Sequence, residues 1–105
     1  MLVELDIYSG RPNPRWKLDA SASQELKSLL SRLGVSNSKP VEPPGLGYRG
    51  FLLADNGNTY RVYRGSLITA DAVLADPSYT VERFLLTGFP DELRELRERV
   101  AAIFD

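Results

Sequence analysis

The chain has 105 residues, of which 43 % are hydrophobic and 26 % are charged, so we assign residues 1–105 to a single globular domain. It contains no His and no Cys, which excludes disulfides, thiol nucleophiles, His/Cys zinc sites and Ser-His-Asp triads. The formal net charge of −1 gives no overall attraction to nucleic acid or to a membrane surface. We therefore expect no nucleic-acid partner, no membrane association, no metal and no cofactor.

The first residues show neither the basic start nor the long apolar run of a signal peptide, and a cytoplasmic location is the default expectation. Apolar and polar residues alternate over residues 3–8 and again over 15–18, which predicts two strands. A hairpin closed by the turn-rich residues 9–14 would place apolar pairs on one face and opposite charges on the other. The pairs in this register are Ile7/Trp16, Leu5/Leu18, Asp6/Lys17 and Tyr8/Arg15.

The next pattern predicts a helix over about residues 22–33. Its leucines recur at helical spacing, and Ser21 followed by Gln24 is a capping-box pattern at its start. Gly34 is a plausible residue for ending the helix. Residues 35–47 then contain three Pro and two Gly and show no periodicity, which predicts an irregular connector with polyproline II character.

An Asn-Gly turn predicts a second hairpin, because both central residues of a type I′ turn need positive φ. A two-residue turn at Asn56 and Gly57 fixes the register of the flanking strands. Further along the same register, Arg49 would lie opposite Arg64 on the core side. Residues 66–69 could form another short strand. The pairs that this register predicts are Leu53/Tyr60, Phe51/Val62, Leu52/Arg61 and Gly50/Tyr63.

The last third of the chain predicts two helices. Asp76 and Pro77 suit the start of the first helix, and Gly88 suits its end. Pro90 opens the second helix, with Asp91 and Glu92 in its first turn. The sum is an α+β fold, in which an antiparallel four- to five-stranded sheet carries three helices on one face. The other face is expected to present Tyr8, Arg15, Lys17, Tyr48, Leu52, Arg61 and Tyr63.

The first candidate site is the loop of residues 9–16, where Pro12 and Pro14 brace a turn at Asn13. Arg11 and Arg15 flank this turn, and the loop itself contains no acid. A stiff backbone that carries guanidiniums is suited to binding an anion or a carboxylate-bearing peptide. The alternative interpretation is a stiff connection whose arginines bind nearby carbonyls.

The second candidate is the Arg49/Arg64 pair, because like charges that face each other need a negative group between them. That group is either a ligand phosphate or carboxylate, or an internal acid such as Glu82 or Glu42. The third candidate is the basic-aromatic face with Tyr48, Arg61 and Tyr63, which suits a protein interface better than nucleic acid.

These patterns favour a small non-catalytic binding module for a protein partner or a small anionic ligand, existing as a monomer or homodimer. Its candidate binding residues are Tyr8, Arg11, Asn13, Arg15, Arg49, Arg61 and Arg64. One alternative is a small enzyme in which Glu4, Asp6 or Tyr8 acts as acid/base while arginines hold an anionic substrate. Another is an immunity- or adaptor-type protein that binds one protein through its aromatic sheet face.

Overall fold

The structure is a computed structural model that describes residues 1–37 and 39–104. The strands in this part of the chain are β1 Leu2–Leu5, β2 Arg15–Lys17, β3 Gly34–Val35, β4 Phe51–Asp55, β5 Asn58–Tyr63, β6 Ser66–Ile68 and β7 Val73–Ala75. The helices are α1 Ala20–Ser31, α2 Thr80–Thr87 and α3 Arg94–Ala101, with short 3-10 turns at Asp91–Leu93 and Ala102–Phe104.

The described strands form one antiparallel sheet in the order β2-β1-β4-β5-β6-β7-β3. The α+β class, the antiparallel sheet and the three helices are therefore confirmed. The predicted count of four to five strands is wrong, because the sheet has seven. β3 and β7 contain only two and three residues, which is too short for an alternating pattern to stand out.

The central hairpin of β4 and β5 has the predicted register, with Phe51 opposite Val62 and Leu53 opposite Tyr60. Asn56 and Gly57 adopt φ values of 49° and 83°, as a type I′ turn requires. A second turn with positive φ joins β5 to β6 through Arg64 and Gly65.

The predicted opposition of Arg49 and Arg64 is wrong. Gly50 has a φ of 97°, and this bend ends the regular pairing of β4 before Arg49. Arg64 lies in the β5–β6 turn with a φ of 47° and does not extend β5. The two arginines therefore do not form a cross-strand pair.

The register predicted for β1 and β2 is also wrong. Trp16 pairs with Val3 instead of Ile7, and Arg15 pairs with Glu4 instead of Tyr8, which is a shift of four residues along β1. Residues 6–14 form the longer loop that results. An even shift preserves the face that each side chain occupies, so Trp16 is buried as expected.

The helices begin and end a few residues away from their predicted limits. Asp19, rather than Ser21, is the N-cap of α1, and its carboxylate accepts the N–H of Ala22 at 2.7 Å. Gly34 does not end this helix but pairs with Ala75 in the sheet. Although α2 begins only at Thr80, the predicted cap Asp76 still accepts the N–H of Val81 at 2.9 Å.

One face of the sheet packs against the three helices and forms a single core with them. None of the described helices is long and apolar enough to cross a membrane. Core residues from the sheet include Val3, Leu5, Trp16, Phe51, Leu53, Val62 and Leu67, and those from the helices are Leu26, Val81, Leu85, Leu86, Leu96 and Val100.

Candidate functional site

The amide of Asn13 organises the loop between β1 and β2. Its Oδ1 accepts the backbone N–H groups of Ile7 and Tyr8 at 3.1 and 2.8 Å. Its Nδ2 donates to Glu4 Oε2 at 3.1 Å and to Asp6 Oδ1 at 3.3 Å. The predicted turn at this residue is thus tied at four points to residues 4–8, which span the end of β1 and the start of the loop.

Asp6 is the buried carboxylate at the centre of the site, with 5 % of its surface exposed. Arg49 Nη2 lies 2.8 Å from its Oδ1, and Arg61 Nη1 lies 3.0 Å from its Oδ2. Arg61 also donates to the carbonyl of Arg49 at 3.2 Å. One carboxylate therefore connects the residue that directly follows β1 with the segment before β4 and with β5.

The loop arginines differ in their partners. Arg15 Nε lies 2.9 Å from Glu4 Oε1, so an acid from outside the loop neutralises its charge. Arg11 is exposed, and its guanidinium carbon lies 3.7 Å from the centroid of the Tyr8 ring. Among the described residues, no carboxylate lies within ion-pair distance of Arg11.

These groups form one connected set, which we call the arginine network. Arg11 joins it through Tyr8, whose carbonyl accepts from Arg49 Nη2 at 3.3 Å. Three guanidiniums thus pair with two carboxylates, and the fourth, that of Arg11, adds a further positive charge. In addition, the buried Nε of Arg49 has no hydrogen-bond partner within the described chain. The members of the arginine network are Glu4, Asp6, Tyr8, Arg11, Asn13, Arg15, Arg49 and Arg61.

The two carboxylates of the network already interact with neighbouring donors. Each oxygen of Glu4 and of Asp6 accepts from an arginine or from Asn13. The predicted pairing of Asp6 with Lys17 is therefore replaced by contacts with arginines. No described contact favours a role of these carboxylates in acid/base chemistry.

Arg64 lies outside the arginine network. Its guanidinium carbon is 6.0 Å from the ring centroids of both Tyr63 and Phe104. Glu82, expected as the counter-charge of the Arg49/Arg64 pair, is instead buried and accepts the Tyr48 hydroxyl and the N–H of Gly65. Burial, reinforced by the negative charge and hydrogen bond of Glu82, raises the pKa of the Tyr48 hydroxyl far above its usual range.

The expected basic-aromatic face does not exist. Tyr48 and Tyr63 are each 7 % exposed, and their ring centroids lie 5.7 Å apart inside the core. Only Arg61 of that group takes part in the arginine network. The prediction failed because the bend at Gly50 turns Tyr48 towards the core, where Phe51 meets its ring edge-on at 5.9 Å.

The central position of Asp6 was missed, although the sequence contains a signal for it. Asp6 stands between Leu5 and Ile7 in an apolar segment, and an acid at a buried position requires cationic or hydrogen-bonding partners. Which arginines fill that role depends on the pairing of β1 with β4, which joins residues far apart in the chain.

The described residues contain no group of three or more Asp or Glu side chains that could hold a metal ion. No protein-family model, curated protein or solved structure matches this chain.

Proposed function

We propose that the chain is a small non-catalytic binding module that recognises an anionic group at the arginine network. The observation that carries the proposal is the imbalance of four guanidiniums against two carboxylates within one set of contacts. A carboxylate or phosphate group would supply the missing negative charge. Arginine suits this role because its planar fork donates two parallel hydrogen bonds to such groups.

The rigidity of the loop supports the same proposal. Asn13 ties the end of the loop to its beginning at Ile7 and Tyr8, and Pro12 and Pro14 restrict the backbone on either side of it. A surface that is ordered before binding loses less conformational entropy when the ligand arrives. Arg11, exposed and stacked on Tyr8, is the group best placed to meet an incoming anion.

The test is a titration of isotope-labelled protein with inorganic phosphate, citrate and a short glutamate peptide, followed by heteronuclear NMR at low ionic strength. We expect saturable shifts at the backbone amides of residues 8–13 and at the Nε–H of Arg49. Arg11→Gln should weaken binding by about tenfold or more, since a charged hydrogen bond contributes roughly 1.5–3 kcal/mol. Arg97→Gln, on the exposed side of α3, is the matched control.

Shifts that do not saturate for any of the three anions would overturn the proposal. An equal loss of affinity in Arg11→Gln and Arg97→Gln would do the same, because it would reflect the overall charge and not the site.

A further inference from the structure

The sheet face that points away from the helices, which we call the open face, carries apolar side chains where polar ones are usual. In an antiparallel sheet with one face exposed to solvent, every second residue of a strand faces the solvent and is normally polar. Cross-strand pairing instead places Leu52, Ile68 and Val73 in one row, in which Arg61 lies between Leu52 and Ile68. Leu2 and Ala54 form a neighbouring pair. None of these five apolar residues belongs to the core cluster.

The open face contains a concavity of about 350 Å³ over β1, β4 and β5. This volume is at the lower end of the range of about 300–1,000 Å³ for small-ligand pockets. It has the size to receive one large apolar side chain, which is how interfaces commonly anchor a partner. The lining residues are Leu2, Glu4, Leu52, Leu53, Ala54 and Thr59.

Three cations are cross-strand neighbours of the residues that line this concavity. Lys17 is paired across the sheet with Leu2, and Arg15 is paired with Glu4. Arg61 is the cross-strand neighbour of Leu52. Lys17 takes part in no ion pair among the described residues. Arg15 and Arg61 are already paired with Glu4 and Asp6, so Lys17 is the rim cation that offers an acidic ligand an unpaired charge within the described chain. The floor complements an apolar group.

The extent of the surface favours a protein segment as the occupant. The row from Arg15 to Val73 crosses five strand intervals, which is about 24 Å at the usual strand spacing of about 4.8 Å. A small molecule in the concavity covers only part of that distance. An extended or helical segment of a partner protein can cover all of it.

We infer that the open face binds an acidic segment of a partner protein, which places one aliphatic or aromatic side chain in the concavity beside Leu52. The acidic neighbours of that side chain pair with Lys17 and with the arginine network. The inference rests on the proposed function, since the arginine network supplies part of the charge, and it adds the apolar half of the recognition.

The experiment uses acidic pentapeptides with a central Leu, Phe or Ala flanked by Asp and Glu, titrated into isotope-labelled protein. We expect the Leu and Phe peptides to bind at least about tenfold more tightly than the Ala peptide, given the free energy of burying such a side chain. Their binding should shift the amide signals of Leu2, Leu52 and Ala54. Leu52→Thr should abolish the difference between the peptides, and Leu46→Thr, at an exposed position of the connector, should preserve it.

A second variant keeps the test informative if Leu52→Thr loses its fold. Thr59→Glu adds a negative charge at the exposed edge of the concavity and should weaken every acidic peptide by about threefold or more. Retention of full affinity by this variant contradicts the inference.

The remaining outcomes separate the two proposals. Equal binding of all three peptides, without shifts at Leu2, Leu52 and Ala54, overturns the inference and leaves anion binding intact. Failure of phosphate, citrate and every peptide overturns the proposed function. Shifts at the open face that grow with protein concentration alone, together with a dimer in light scattering, assign the face to a second copy and also overturn the inference.

Discussion

In the β1–β2 loop, the side chain of Asn13 accepts backbone N–H groups that a neighbouring strand would accept elsewhere in the sheet. Its single amide satisfies two backbone donors and contacts two carboxylates. The sequence indicated a turn at this residue, because Asn between two prolines is typical of one. It did not indicate Glu4 and Asp6 as partners, because their positions depend on a strand register that was predicted four residues away.

Replacing this amide should destabilise the fold. Asn13→Ala leaves the N–H groups of Ile7 and Tyr8 without their acceptor, and part-buried donors left in this way cost about 1–3 kcal/mol. We expect a melting temperature lower by roughly 5–15 °C, measured by circular dichroism. Asn37→Ala, at an exposed position of the connector, is the control and should change the melting temperature little. An unchanged midpoint in Asn13→Ala would show that the loop orders itself without the amide.

The buried Tyr48 hydroxyl predicts a specific response to alkali. Its pKa is raised in the folded protein by burial and by Glu82, so the neutral phenol stabilises the fold below the ordinary tyrosine pKa of about 10. This stabilisation is lost as the pH rises above that value, because the unfolded state releases the proton first.

The measurement compares the phenolate absorbance of the natural protein and of Tyr48→Phe during a rise in pH. The extra phenolate absorbance of the natural protein over Tyr48→Phe should appear only when the protein unfolds, as followed by circular dichroism. Tyr48→Phe should also show a shallower loss of stability above pH of about 10. A phenolate signal from Tyr48 in the folded protein would contradict the prediction.

At the level of elements, short-range turn chemistry was predictable and long-range pairing was not. The turn at Asn56 and Gly57 set the β4–β5 register correctly, since the residues that decide it are adjacent in the sequence. The β1–β2 register failed because β1 also pairs with β4, with Leu5 opposite Phe51. The alternation of apolar and polar residues within one strand does not reveal that the strand also pairs with a second partner.

Gly50 and Gly57 offer a matched pair of substitutions in these elements. Both have positive φ, so alanine is strained at either position. A Cβ at Gly57 meets no atom within 4 Å, whereas one at Gly50 would lie 2.1 Å from the carbonyl oxygen of Val62.

Gly57→Ala should therefore lower the free energy of unfolding by about 1–2 kcal/mol. Gly50→Ala should lower it by more than about 3 kcal/mol or prevent cooperative unfolding altogether. Chemical denaturation followed by fluorescence of Trp16 measures both. Equal effects of the two substitutions would mean that the bend at Gly50 is not packed against β5.

At the level of the whole molecule, composition and periodicity were sufficient for the α+β class. They were insufficient for the short strands β3 and β7, whose two and three residues are identified as strands by their pairing with neighbouring strands. The arginine network shows the same limit, because Asp6 contacts Arg49 and Arg61 across sequence separations of 43 and 55 residues.

Two substitutions in this network should distinguish the contribution of its buried part to stability from that of its exposed part. Asp6→Asn removes the negative charge that two guanidiniums share. It should lower the free energy of unfolding by about 2–3 kcal/mol, because removing one partner of a buried ion pair leaves the other charge uncompensated. Glu4→Gln breaks the pair with Arg15, whose side chain is 64 % exposed, and should cost less than about 1 kcal/mol.

Thermal and chemical denaturation of both variants provides the measurement. A larger loss in Glu4→Gln than in Asp6→Asn would reverse the assignment of the structural centre of the network.

The large sequence separation between Asp6 and the two arginines that bind it also determines how late in protein synthesis the site can form. The loop that carries Arg11 leaves the ribosome early, but Arg61 follows only after 50 more residues have been added. A nascent chain that ends at β4 holds the loop without one of the guanidiniums that fix its central carboxylate. The arginine network is thus complete only after β5 has joined the sheet.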